Sequence, residues 1–272
     1  MTTYFSEAHL VELQGKFAEI PNLAKDLVWA FTWRQFKTER AKEFALHGFC
    51  RRTNMIVRCI HNVFRALPPE ASGIPLGDAI QDATINLQAF IFNVFGAIDN
   101  LAHVLVAEKN ITKPNGRPLA RAEIGLRSKN HQVRRAVAPG FAAYLETMDP
   151  WFQYLDEFRD SLAHRIPLYV PPYAVSPDNE AAYQELEHRI DRAAHLFSRD
   201  ELDALEAEQS KLKFFRPWML HSYSEKSGIV VFHAQLNADF LTIESIGWKV
   251  LEELEGRNIP ENERRKASSA LR

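Results

Sequence analysis

Cysteine is nearly absent from this 272-residue chain, where only Cys50 and Cys59 occur. Two thiols are too few for a disulfide framework and suit a reducing compartment. Glycine is scarce as well, at 11 residues, and runs alternating apolar with polar side chains are few, which disfavours a sheet protein. Neither sign of charge dominates, since 33 Lys and Arg stand against 35 Asp and Glu for a formal net charge of -2. Bulk charge therefore supplies no general grip on nucleic acid. There is no Walker loop, Gly-x-Gly-x-x-Gly, Gly-x-Ser-x-Gly, Cys-x-x-Cys or His-Glu-x-x-His, which sets aside several large enzyme classes. The first residues lack the basic stretch and apolar run of a secretory signal, so the expected location is cytoplasmic. The segment 89–107 is apolar over a membrane-spanning length, yet Asn93, Asp99, Asn100 and His103 would each be costly in hydrocarbon. A buried central helix with no membrane contact is expected.

What the chain has in quantity is apolar content, 46%, enough to bury a sizeable core in a single helical domain over 1–272. The expected fold class is mostly α. A helix is read over 23–46, with Trp29, Phe31, Trp33 and Phe36 close together, and a second over 55–67 stopped by Pro68-Pro69. The longest signal is 78–108, where Ile80, Ala83, Leu87, Phe90, Ile91 and Val94 step by three and four, as the spine of a bundle requires. Lys113-Pro-Asn-Gly-Arg-Pro reads as a turn. Helix resumes over 134–166, interrupted at Pro139-Gly140 and Pro150 and ended by Pro167. A charged helix over 178–211 carries a narrow stripe of Leu186, Ile190, Ala193, Ala194 and Phe197. A short β-hairpin is placed at 212–235 and a last helix at 237–255, followed by a polar tail expected to fray.

Charge is uneven along the chain. Residues 113–135 hold seven Lys or Arg against Glu123 alone, a local balance of +6, while 178–208 holds ten acidic residues against Arg189, Arg192 and Arg199, a balance of -7. The basic segment, with Arg127, Lys129, Arg134 and Arg135, is the candidate track for an RNA backbone; ordinary solvated surface is the alternative.

Three local constellations bear on chemistry. Glu185 and His188 make one Glu-x-x-His, but di-iron bundles need a second copy and none occurs, so no metal is expected. Asp99 and His103, one turn apart on the spine helix, either satisfy one another or support a site. Arg159, Asp160 and His164 form an Arg-x4-His run at the end of a helix; Arg216 to His221 is a second match, but it holds Pro217 and lies in the strand-like region. Asp160 and His164 are at i and i+4, so the carboxylate is expected to orient the imidazole, with Arg159 about 140° around the helix from His164.

In these residues the sequence resembles the HEPN superfamily, helical-bundle proteins of bacterial defence and toxin systems whose signature is Arg, a polar residue, three further residues and His. Arg159, Asp160 and His164 match it position by position, and Ala97-Ile-Asp-Asn-Leu-Ala-His103 looks like the facing bundle helix. The resemblance covers about 78–205, leaving the N-terminal helices and the hairpin as additions. It implies an antiparallel bundle and a metal-independent endoribonuclease without cofactor. It also implies an active site at a homodimer interface and RNA as partner, with an antitoxin or a nucleotidyltransferase-type protein as a further one. In that reading His164 moves protons, Arg159 holds the phosphorane oxygens, and Asp99 and His103 support them. The alternatives are a non-catalytic module binding RNA, a nucleotide or a protein through the same bundle, and a purely structural dimer.

Overall fold

A computed structural model describes residues 4–195, 199–222 and 228–265. The chain is mostly α: eleven α-helices lie among the described residues, against four strands of two residues each. Helix α1 (Glu7–Trp33) starts at Ser6, whose hydroxyl accepts from the His9 N–H, and runs straight through Pro21. The helix expected from residue 23 therefore begins sixteen positions earlier. The proline forfeits one backbone bond, but Leu13, Ile20, Leu23, Leu27 and Phe31 form one buried face that spans it. Burial of that face outweighs the lost bond.

The chain next breaks at 34–38, in the middle of the expected 23–46 helix. The buried Glu108 carboxylate holds the break, accepting from the backbone N–H of Lys37 (2.7 Å) and Thr38 (3.4 Å) and facing Arg34. Helix α2 (Glu39–Glu43) is capped by Thr38, passes through a π-helical stretch Phe44–Cys50, and continues as α3 (Arg51–Ala66). Helix α4 (Gly77–Lys109) is the spine, ending at Asn110 in a left-handed conformation. Its length and composition would suffice to cross a membrane, but half of its most apolar window is buried inside the protein. It packs on α3, on the π-helical stretch and on later helices.

After α4 the expected turn is present: the Lys113 N–H donates to the Arg117 carbonyl at 2.9 Å, and Gly116 sits at φ 77°. Short helices α5 (His131–Arg135) and α6 (Pro139–Thr147) lead into α7 (Asp149–His164), with the prolines at helix starts, where a missing N–H costs nothing. The expected 178–211 helix is two, α8 (Glu180–His195) and α9 (Arg199–Ser210), which pack on one another through a small cluster of Leu186, Ala193 and Leu205 separate from the main core. Phe197 of the expected stripe lies outside the described residues.

The expected hairpin is present in part. Strands β3 (Trp218–Met219) and β4 (Val230–Val231) pair antiparallel, but β2 (Lys213–Phe214) pairs with the upstream β1 (Ala174–Val175). Helix α10 (Phe232–Glu255) starts directly from β4, five residues before the expected 237. It closes the core against α1, α3 and α4. A short α11 (Glu261–Arg264) follows within the tail expected to fray, whose residues 266–272 lie outside the described residues.

Asp239 is fully buried in α10, where its carboxylate accepts from Trp151 Nε1 and Gln235 Nε2, both at 2.7 Å, and from the Tyr154 hydroxyl at 3.5 Å. All three donors are neutral, and burial pushes its pKa up to about 7. The unfolded carboxyl loses its proton near pH 4 and the folded one near 7, so the folded state holds the extra proton between them. Stability from this group is fullest below that window and falls as pH rises through it. Urea unfolding of Asp239→Asn and of the natural chain from pH 4 to 8 should show the variant gaining relative stability up to about pH 7, then a constant difference. A difference flat in pH would refute this account.

Candidate functional site

A polar cleft of about 650 Å³ opens between α4, α7 and the 121–130 connector. Helix α4 supplies Phe95, Asp99, Asn100 and His103, and α7 supplies Asp156, Arg159 and Asp160. The connector adds Arg121, Arg127, Lys129 and Asn130, while Phe44 and Arg52 close the far side. Of the residues expected to matter, the cleft brings together Arg159, Asp160, Asp99, His103, Arg127 and Lys129. It excludes His164, Arg134 and Arg135.

The Phe95 ring is the platform. The guanidinium carbons of Arg127 and Arg159 lie 4.2 and 4.7 Å from its centroid, close enough for cation–π attraction. Arg127 is only 6% exposed. Its Nη1 donates to Asp99 Oδ1 at 3.0 Å and its Nε to Asp156 Oδ1 at 2.6 Å, and its buried Nη2 has no hydrogen-bond partner. Two carboxylates thus neutralise a residue expected to face RNA phosphates. Arg134 is likewise internal, donating to both Asp149 oxygens and to the carbonyls of Leu126 and Leu145, so it ties α5 to the α6–α7 junction. The +6 segment is therefore far less basic in space than along the chain. Lys129 and Arg135 stay exposed.

Asp160 does not serve His164 as expected. Its Oδ1 accepts from Arg159 Nη1 at 2.7 Å. The long, permanently charged guanidinium reaches the carboxylate from the adjacent position. His164 is exposed in the last turn of α7, with no hydrogen bond or ion pair among the described residues. Asp99 is likewise taken by Arg127 and not by His103. His103 stacks on Phe44 with centroids 4.2 Å apart and planes 8° from parallel. Burial lowers its pKa and nearby Arg40 and Arg121 add to that, against the opposing pull of Asp99, so the imidazole is neutral at pH 7. The second Arg-x4-His match ends in a buried His221, bonded to Glu157 at 3.2 Å.

Arg52, Arg121 and the Phe44–His103 stack were missed by the sequence reading. Arg52 donates to Asn100 Oδ1 (3.2 Å) and Asn93 Oδ1 (3.3 Å), neutral partners that hold the guanidinium without cancelling its charge. A Cβ on Gly96 would come within 2.4 Å of the Arg52 Cζ, and one on Gly48 within 2.7 Å of the Asn100 side chain. Two glycines inside helices were the available signal, because such glycines often mark a close approach. With Asp99 and Asp156 on Arg127 and Asp160 on Arg159, the cleft keeps Arg52, Arg121 and Lys129 without an ion pair among the described residues. Three uncompensated cations suit an anion. No group of three or more His, Cys, Asp or Glu placed to hold a metal ion occurs among the described residues.

Comparison with family models, curated proteins and solved structures gave no match for this chain.

The ion-pair assignment separates two neighbouring arginines. Arg134→Ala should lower unfolding free energy by about 2 kcal/mol, as loss of hydrogen bonds to a charged group does, whereas Arg135→Ala should stay within about 0.5 kcal/mol. Chemical denaturation of both variants checks this, and equal effects would contradict the placement of Arg134.

Proposed function

We propose that the chain is a metal-independent endoribonuclease of HEPN type, acting on RNA as a homodimer. The observation that carries the proposal is the division of the Arg-x4-His run. Arg159 stands in the wall of a cleft that holds uncompensated cations, while His164 stands outside that cleft, exposed and without a partner among the described residues. Five residues along a helix separate them by about 140° and about 7.5 Å of rise. One copy therefore offers a phosphate seat and a proton-transfer group that do not share a cavity, which a two-fold partner would remedy by facing its own α7.

In this reading Arg52, Arg121 and Lys129 seat the RNA backbone. His164 takes the proton from a ribose 2'-OH as its oxygen attacks the adjacent phosphorus. His164 of the partner subunit returns a proton to the departing 5'-oxygen, leaving a 2',3'-cyclic phosphate. Arg159 holds the non-bridging oxygens while negative charge builds on them. Asp160 keeps Arg159 in place, a role different from the imidazole orientation expected from spacing. His103 is a neutral imidazole inside the cleft and the nearest rival for the base.

Light scattering should give about twice the 31.2 kDa chain mass. Cleavage of mixed RNA should persist in EDTA, leave 2',3'-cyclic ends and spare DNA. Arg159→Ala and His164→Ala should each slow it by at least ~10², the usual scale of electrostatic and acid–base contributions. A monomeric protein, or activity that survives His164→Ala but not His103→Ala, would replace the composite site by one within a single chain. RNA binding without cleavage would favour a binding module instead.

The backbone contacts have a separate readout. Arg121→Ser and Lys129→Ser should each weaken RNA binding and reduce the salt slope by about 0.7 per lost phosphate contact. Gly96→Ala, which displaces the flexible end of Arg52, should do the same while leaving the fold intact. Fluorescence anisotropy across a salt series measures all three, and slopes equal to that of the natural chain would place the RNA elsewhere.

A further inference from the structure

A second cavity, about 330 Å³, lies away from the cleft, between the 68–73 turn that follows α3, strand β2 and the first turn of α10. Lys211, Lys213 and Arg216 line it, and no Asp or Glu does so among the described residues. None of the three cations forms an ion pair among the described residues. Lys213 Nζ instead lies 4.6 Å from the Tyr173 ring centroid, and Arg216 Cζ lies 5.0 Å from that of Tyr4 and 4.7 Å from that of Phe214. Aromatic faces steer these charges without neutralising them.

His233 also lines the cavity and is 1% exposed. Its Nε2 lies 2.6 Å from the Leu67 carbonyl oxygen. A carbonyl only accepts, so Nε2 carries the ring proton. Burial lowers the pKa to about 4, so the ring is neutral and Nδ1 is a bare acceptor. That atom is buried and has no hydrogen-bond partner, which is costly unless something supplies a donor.

We propose that this cavity binds a small organic phosphate bearing hydroxyl groups, its phosphate on Lys211, Lys213 and Arg216 and one hydroxyl donating to His233 Nδ1. Three uncompensated cations match a dianionic phosphate better than a single carboxylate. The acceptor-only imidazole requires a donor, which a sugar hydroxyl supplies at a distance from the cation-bound phosphate, whereas the inorganic hydrogen phosphate dianion carries its single O–H on the phosphorus itself. The volume is at the lower end for ligand pockets, the size of a sugar phosphate. The site is independent of the RNA cleft, and its occupancy does not require the reading of that cleft to hold.

Isothermal titration calorimetry of the full chain with ribose 5-phosphate, glycerol 3-phosphate, AMP and inorganic phosphate tests it. A hydroxylated phosphate should bind at least tenfold tighter than inorganic phosphate. The double variant Lys211→Ser/Lys213→Ser, and separately Arg216→Gln, should weaken that binding at least tenfold with an unchanged circular dichroism melt. The cleft variant Arg121→Ser/Lys129→Ser should leave it unaltered. Absence of binding by all four at millimolar concentration overturns the proposal, as does affinity untouched by both β2-side variants or lost in the cleft variant. Inorganic phosphate binding as tightly as the sugar phosphate overturns the role of His233. Should the double lysine variant misfold, the Arg216→Gln titration decides alone.

Discussion

Helix α4 has to serve as the spine of the core and as a wall of the cleft at once, and the arrangement of the other elements around it follows from that double duty. Its buried face runs through Leu87, Phe90, Val94, Ile98 and Leu101, while Asn93, Asp99, Asn100 and His103 are polar groups on the half-buried flank of the same helix. Such groups must find partners when neighbours cover them. They are met from three different parts of the chain: Asn93 and Asn100 by Arg52 of α3, Asp99 by Arg127 of the connector, His103 by the Phe44 ring. The polar flank thus fixes which elements come together, and the apolar face supplies most of the free energy that keeps them there. Gly48 and Gly96 follow from the same demand, since a side chain at either position would strike Asn100 or Arg52.

How much of this was legible in the sequence depended on whether the deciding partner was local. The expected 78–108 spine matches α4 to within a residue at each end, because a helix with one long apolar face carries its own period. Helix α1 begins well before residue 23 although Pro21 is a strong local stop, because the buried face that overrides the proline forms only once α10 and α3 are packed on it. Local composition alone places β2 in the hairpin at 212–235, yet its partner β1 lies upstream of two helices. Two-residue strands have too little pattern to announce a non-local register.

Charge behaved in the same way. The basic run at 113–135 is real, but a sum along the chain cannot show that Asp156 and Asp149 come back to Arg127 and Arg134 through folding. Helix spacing alone likewise pairs Asp160 with His164, whereas the adjacent Arg159 takes the carboxylate. Asp239 carries a signal within the expected 237–255 helix. It stands four residues before Ile243 and seven before Ile246, both on the buried stripe of α10, so a carboxylate there shares the buried face.

The cations placed to meet an anion are those whose neighbours leave them charged, and only part of the densest basic run qualifies: Arg121 and Lys129 keep their charge, whereas Arg127 and Arg134 are ion-paired. Arg127 is surrounded by two carboxylates and cannot offer a full positive charge to a ligand without breaking a buried ion pair, which is strongly unfavourable. Arg52 is held by two amide oxygens, and Arg216 rests against two aromatic rings; both are oriented in advance and both keep their charge. Preorganised charge of this kind binds an anion without the cost of ordering a long side chain at the moment of contact. By that criterion the chain carries two separate regions of uncompensated positive charge, one around the α4 cleft and one at the start of α10. The acidic α8–α9 pair, packed on itself through its own small cluster, contributes carboxylates to the wall of neither.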